Sequence, residues 1–177
     1  MFSFLRRKPY RAEAAAVYQR LAKASRAPEF YRDLGVPDSF DGRFEMAVLH
    51  AFLVMHRLQN ETDGPALNQA IFDAMFGHFD LTLREMGVQD LGVGRRIKQM
   101  ADAFNGRSAA YRQALADNDR AKLEAALARN IFGQAAPTTR QLDRLTDYVL
   151  AADRALAGQE RAAILRGLVD LPAIAPA

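Results

Sequence analysis

Apolar positions recur three and four residues apart along most of this chain, the spacing of helices that bury one face. The pattern predicts a first helix from about Tyr10 to Ala27. Pro28 ends it, because its ring cannot continue a helix, and leaves room for one further turn before Leu34. Gly35-Val36-Pro37-Asp38 reads as a turn. From Asp41, the expected N-cap, to about Gln59 the pattern changes. Phe44, Met46, Val48, Leu49, Phe52, Leu53, Val54, Met55 and Leu58 spread around most of the circumference. A helix apolar on nearly every side belongs at the centre of a fold. Gly64-Pro65 then opens a helix from about Ala66 to Met86, closed by Gly87 where glycine commonly ends helices.

The polar exceptions on these two helices have a spacing of their own. Arg43, His50 and Arg57 fall seven apart, as do Asp73 and Asp80. An antiparallel hairpin with a short loop brings His50 level with Asp73 and Arg43 level with Asp80. We expect structural polar pairs there rather than catalytic ones. Beyond them, Asp90 is expected to cap a helix reaching Ala116, and Asn118 or Asp119 opens another that ends near Gly133. Thr138-x-x-Gln141 has the pattern of a capping box. Leu142, Leu145, Val149 and Leu156 continue the helical spacing, and 161–169 forms a last short helix. The expectation is an all-α fold, a single-domain compact bundle or orthogonal array of about six or seven helices over 10–170. Residues 1–9 are expected to form an arm and 171–177 a tail.

Composition agrees. The chain of 177 residues has 33 alanines and 20 leucines against 18 valines, isoleucines and threonines together, a helix-favouring balance. It has no cysteine, which excludes disulfides, thiolate metal sites and cysteine nucleophiles. Glu-x-x-His, His-Glu-x-x-His, Gly-x-Ser-x-Gly and Walker-type loops are all missing. The three histidines lack carboxylates at ligand spacing. No catalytic residue, metal site or cofactor is therefore expected, and an enzyme is not.

Charge sharpens the picture. The net charge of +3 divides into +6 over 1–32, −7 over 33–90, +4 over 91–130 and zero thereafter. Either the surface is polarised, as suits an anionic partner or membrane, or the segments neutralise one another on folding. On the helix from Asp90, Val93, Ile97, Met100, Phe104, Tyr111 and Leu115 share an apolar arc. Arg95 and Lys98 lie opposite, and Arg96 and Arg107 flank it, placed to snorkel around its edge. Arg95, Arg96, Lys98, Arg107 and Tyr111 form the candidate surface for a client or an anionic partner; the plainer alternative is an amphipathic helix with solvated basic flanks. No apolar stretch approaches the ~18 residues of a membrane span. The start of the chain lacks the order of a secretory signal. A cytoplasmic protein is expected, peripheral on a membrane if Phe2, Phe4 and Leu5, beside Arg6, Arg7 and Lys8, dip into lipid.

One block carries more than periodicity. Phe72-Asp73-Ala74-Met75-Phe76, Leu83-Arg84-Glu85-Met86-Gly87-Val88, Asp90-Leu91 and Arg95-Arg96-Ile97-Lys98-Gln99-Met100, ending in Gly106-Arg107 and Tyr111, mix charge, glycine and apolar residues in an order that no amphipathic helix requires. Together with Leu34-Gly35-Val36-Pro37-Asp38 and Asp41-Gly42-Arg43-Phe44, this stretch resembles the ubiquinol–cytochrome c chaperone family over about 28–130. The chain departs from that pattern at Asn105, where relatives tend to carry an aromatic residue, and at His78, where they tend to carry an acid. The resemblance implies an all-helical assembly factor. Its client would be cytochrome b or another respiratory subunit. A partner chaperone, the ribosome or anionic lipid would be further contacts, and no DNA is implied. Two other classes stay open. The phenylalanine-rich helices 41–59 and 66–86 suit a carrier of lipid or a small hydrophobic ligand, and the basic segments suit a ribosome- or RNA-associated module.

Overall fold

The computed structural model describes residues 9–174. The expected lipid contacts Phe2, Phe4, Leu5, Arg6, Arg7 and Lys8, and the last three residues of the expected tail, lie outside the described residues. The fold is all-α, with no strand among the described residues. Its elements are α1 (Arg11–Ser25), α2 (Pro28–Arg32), α3 (Phe40–Leu58), α4 (Gly64–Glu85), α5 (Asp90–Ala116), α6 (Arg120–Leu127), α7 (Thr139–Ala157) and α8 (Arg161–Leu165). A π-helical turn, Ala128–Phe132, continues α6.

The helix that is apolar all round is the axis of the molecule. Thirteen of the 19 residues of α3 are buried, and α1, α4, α5, α7 and the π turn all pack on it. Each fully buried leucine or phenylalanine there contributes roughly 1.5–3 kcal/mol relative to exposure. The start of α3 differs from expectation. Ser39 is the N-cap, its Oγ accepting from the Gly42 N–H at 3.1 Å. Asp41 stands in the first turn instead and faces α5. Likewise Gln89, not Asp90, precedes α5. The expected caps at Asp119 and Thr138 are present, and Thr138 and Gln141 close a full capping box.

Gly42 has a steric reason. A Cβ at this position would lie 1.9 Å from the Pro37 carbonyl oxygen, so the turn 35–38 can close onto α3 only over a bare backbone. Gly42→Ala is expected to lower stability by about 2 kcal/mol or more, because the clash is with backbone and cannot be relieved by a rotamer. The midpoint of urea unfolding checks it.

The α3–α4 hairpin has the expected register. The Asn68 amide donates to the Met55 carbonyl at 3.0 Å, and the rings of Phe44 and Phe79 meet at 5.3 Å. The same register sets His50 level with Asp73 and Arg43 level with Asp80. The expected pairs nevertheless do not form, because level residues need not face each other. His50 points away from α4. Its Nδ1–H donates to the Met46 carbonyl at 2.7 Å, and its Nε2 accepts from the Tyr148 hydroxyl of α7 at 2.8 Å. Arg43 turns back to Asp38 at 2.8 Å, and Asp80 pairs with Arg84 within α4 at 2.6 Å. Asp73 accepts from Gln69 on its own helix. Arg57, the third member of the stripe, donates to the Leu156 carbonyl at 3.1 Å and to Glu61 at 2.6 Å. That ties the end of α3 to the end of α7.

Helix α1 runs parallel to α4, with Tyr10 beside Asp63 at one end and Tyr18 and Arg26 against His78 further along. The chain therefore leaves the described region at the α4 N-terminus, about 30 Å along the helix from the α4–α5 corner. At the other terminus, Gln159 holds Asp170 by two reciprocal hydrogen bonds with its backbone. Leu171 and Ile174, in the expected tail, pack partly buried against the core.

Candidate functional site

A cleft of about 400 Å³ opens between the start of α3, the middle of α5 and the π turn. Its apolar floor includes Phe44, Met100, Ala103 and Phe132, and its polar walls carry Asp41, Glu45, Arg96, Arg107, Arg129 and Asn130. The π turn builds one wall in an unusual way. Arg129, Asn130, Ile131, Phe132 and Gly133 all line the cleft, five residues in succession. An α-helix turns its residues about 100° apart and would send most of them elsewhere. The wider π turn, and Gly133 at φ 58°, keep the run on one side while Ile131 and Phe132 also reach the core. Such turns concentrate at functional sites. The apolar spacing of 120–133 gives no sign of it.

Two ion pairs cross the cleft. Arg107 grips Glu45 through both carboxylate oxygens at 2.5 Å, with Glu45 9% and Arg107 25% exposed at the side chain. Burial pushes the Glu45 carboxyl above its usual range, and the hydrogen bond and charge of Arg107 oppose that shift. Arg96 reaches Asp41 at 3.0 Å and lies over the Phe40 ring, 5.6 Å from its centroid, a cation–π placement. Both pairs join the basic stretch 91–130 to the acidic stretch 33–90, so part of the charge asymmetry read from the sequence is cancelled on folding. Arg129 has no carboxylate partner among the described residues.

The five residues expected to form one surface separate into three groups. Arg96 and Arg107 line the cleft. Arg95 and Lys98 are exposed on the opposite side of α5, outside it, with no ion pair among the described residues. Tyr111 is corrected: it is 0% exposed and cannot touch a partner. Its ring packs against Phe52 at 5.5 Å. Its hydroxyl approaches Asn130 without closing a good hydrogen bond, and burial raises its pKa. Of the two departures, Asn105 is exposed and His78 is half-buried beside Tyr18. Arg26 Nη2 lies 3.4 Å from His78 Nε2, where an acid in a relative would meet a cation.

Sequence reasoning missed a second surface. At the α4–α5 corner Leu81, Met86 and Leu91 are exposed, Leu91 by 94%. Leu91 projects about 160° from Val93 on the helical wheel, off the apolar arc, and that was the available signal. The pocket needed by a carrier of hydrophobic ligands does not lie between α3 and α4. Phe44 and Phe79 meet across that interface, and Phe72 and Phe76 turn their edges to Phe104 of α5. Among the described residues no helix is long and apolar enough to cross a membrane, and no group of three or more histidines and acids is placed to hold a metal.

The sequence profile of the ubiquinol–cytochrome C chaperone family matches residues 32–171. The chain belongs to the ubiquinol–cytochrome c chaperone family. The match contains every residue that lines the cleft and extends beyond the 28–130 block into α7 and α8. The chain is 27% identical over 139 residues to the ubiquinol–cytochrome c reductase complex assembly factor 1 of Drosophila melanogaster, covering 75% of itself and 53% of that protein. It thus spans about half the length of this curated relative. The crystal structure of the Cbp3 homolog from Brucella abortus shares the fold, with a TM-score of 0.83 and 37% identity over 92% of this chain and 90% of that one. The residues above build an all-helical member of that family.

Proposed function

We propose that this protein is a non-enzymatic assembly chaperone for the ubiquinol–cytochrome c reductase. It holds a segment of a membrane subunit, cytochrome b in the first instance, in the cleft between α3, α5 and the π turn. The observation that supports the reading most is that this cleft, with its apolar floor and arginine rim, lies wholly inside the region matching the family. The exposed Arg95 and Lys98, with Leu91 nearby in sequence, supply an outward face suited to the anionic surface of the inner membrane. Binding is transient and no bond is made or broken.

The test is a deletion strain complemented with variants and assayed for assembled reductase. Arg129→Glu in the cleft is expected to lower the reductase several-fold with far-UV circular dichroism unchanged. Arg95→Glu with Lys98→Glu is expected to shift the protein from the membrane fraction to the soluble one. Wild-type reductase levels with Arg129→Glu would remove the cleft from the account, and unaltered fractionation would remove the outward face. Arg107 is unsuited to this test, since reversing it breaks a pair the fold needs.

A further inference from the structure

The charges of the cleft do not cancel. Asp41 answers Arg96 and Glu45 answers Arg107, which leaves Arg129, of the three arginines lining the cleft, without a carboxylate partner among the described residues. It is held at the rim by the π turn, whose next residue, Asn130, sits beside the buried Tyr111 hydroxyl. Below it the floor is apolar, formed by Phe44, Met100 and Phe132. A single unanswered fork above an apolar floor matches a monoanion carried on an apolar scaffold. A free phosphate would bring more charge than one guanidinium answers and nothing to cover the floor. Guanidinium and carboxylate are complementary in shape as well as charge, since two parallel N–H donors meet two oxygens.

We propose that the cleft is an acidic-peptide site. An extended apolar segment lies along Phe44, Met100 and Phe132, and one aspartate or glutamate carboxylate takes the fork of Arg129. This deepens the client reading, which supplies its biology, but it is tested without a client. The probes are acetyl-Leu-Phe-Glu-Leu-amide, the same peptide with glutamine for glutamate, and inorganic phosphate, each titrated into the isotope-labelled full chain and followed by NMR. The glutamate peptide is expected to move the signals of 129–133 and of Met100–Ala103. It should bind about tenfold more tightly than the glutamine peptide, the scale of one charge-assisted contact. Arg129→Gln should erase that preference, and Arg140→Gln, on the first turn of α7, should leave it intact.

Equal affinities, no binding by either peptide, or shifts confined to another face would each overturn the proposal. Phosphate moving the same signals at the same concentration would show a bare anion site and overturn it too. The two readings fail separately. If Arg129→Gln erases the peptide preference while reductase assembly in the cell stays normal, the site stands and its use for the client falls. If assembly is lost in that variant while the wild-type protein binds both peptides equally, the client reading stands and the acidic-peptide site falls.

Discussion

Arg107→Ala is expected to cost about 3 kcal/mol or more of folding stability, within the range for breaking a largely buried ion pair by removing one partner. The cost does not measure the attraction of the pair. It is the penalty of leaving Glu45, 9% exposed, charged and unanswered in the wall of the cleft. Two consequences separate this from a loss of packing. Removing both charges, as in Glu45→Leu with Arg107→Met, should recover most of the stability, since an apolar replacement of similar size leaves nothing unpaired. In the single variant, Glu45 can escape its situation by binding a proton. Burial already raises its pKa, and without Arg107 that rise is unopposed. The folded variant then binds a proton that the unfolded chain does not, so its deficit against wild type should shrink as the pH falls toward 4.5. Urea unfolding of the three chains at pH 7 and pH 5 reads both effects. A deficit independent of pH, or a double variant as weak as the single one, would show that packing is what was lost.

The second large effect is expected at His50. It is fully buried, donates to Met46 and accepts from Tyr148, an arrangement that needs the neutral ring. Burial lowers its pKa from the ordinary 6.5 to about 4, with the hydrogen bond to Met46 opposing the shift. The unfolded chain takes up a proton near pH 6.5, and the fold refuses it until about pH 4. Stability that depends on the neutral ring is therefore complete above the unfolded pKa and lost as the pH falls toward the folded one. The loss is on the order of 3 kcal/mol. The comparison is with His50→Leu, Tyr148→Phe, which removes the titrating group without stranding the phenol. Urea midpoints between pH 7 and pH 4.5 should fall more steeply for wild type than for the double variant. Glu45, whose raised pKa works in the opposite direction, cancels in the comparison. Equal slopes would mean that His50 is not what makes the fold acid-sensitive.

The same histidine shows what could and could not be read from the chain. The central burial of α3 was legible because Phe44, Leu49, Leu53 and Val54 point to different sides and leave no polar side wide enough for solvent. The height of His50 against Asp73 was legible too, since rise per residue and loop length fix it. Its direction was not. Which way a side chain faces around α3 depends on where α7 packs, and Tyr148 lies 98 residues away. Arg107 and Glu45 are hidden for the same reason, 62 residues apart with no local sign of the pairing. Tyr111 is the converse. Its place on the apolar arc, between Phe104 and Leu115, is the pattern of a buried residue, and the structure buries it fully. The block 83–91 pointed to the family, whereas the cleft depends on a turn with no local pattern in sequence.

That turn makes the site sensitive to length as well as to chemistry. A π-helical stretch holds one more residue per cycle than the helix feeding it, so removing a single residue anywhere in 128–132 would let the segment rewind as an ordinary helix. An ordinary helix sets neighbours about 100° apart, so the five successive residues could no longer share the wall of the cleft. A one-codon deletion here would therefore unmake the pocket even if all its other walls stayed in place.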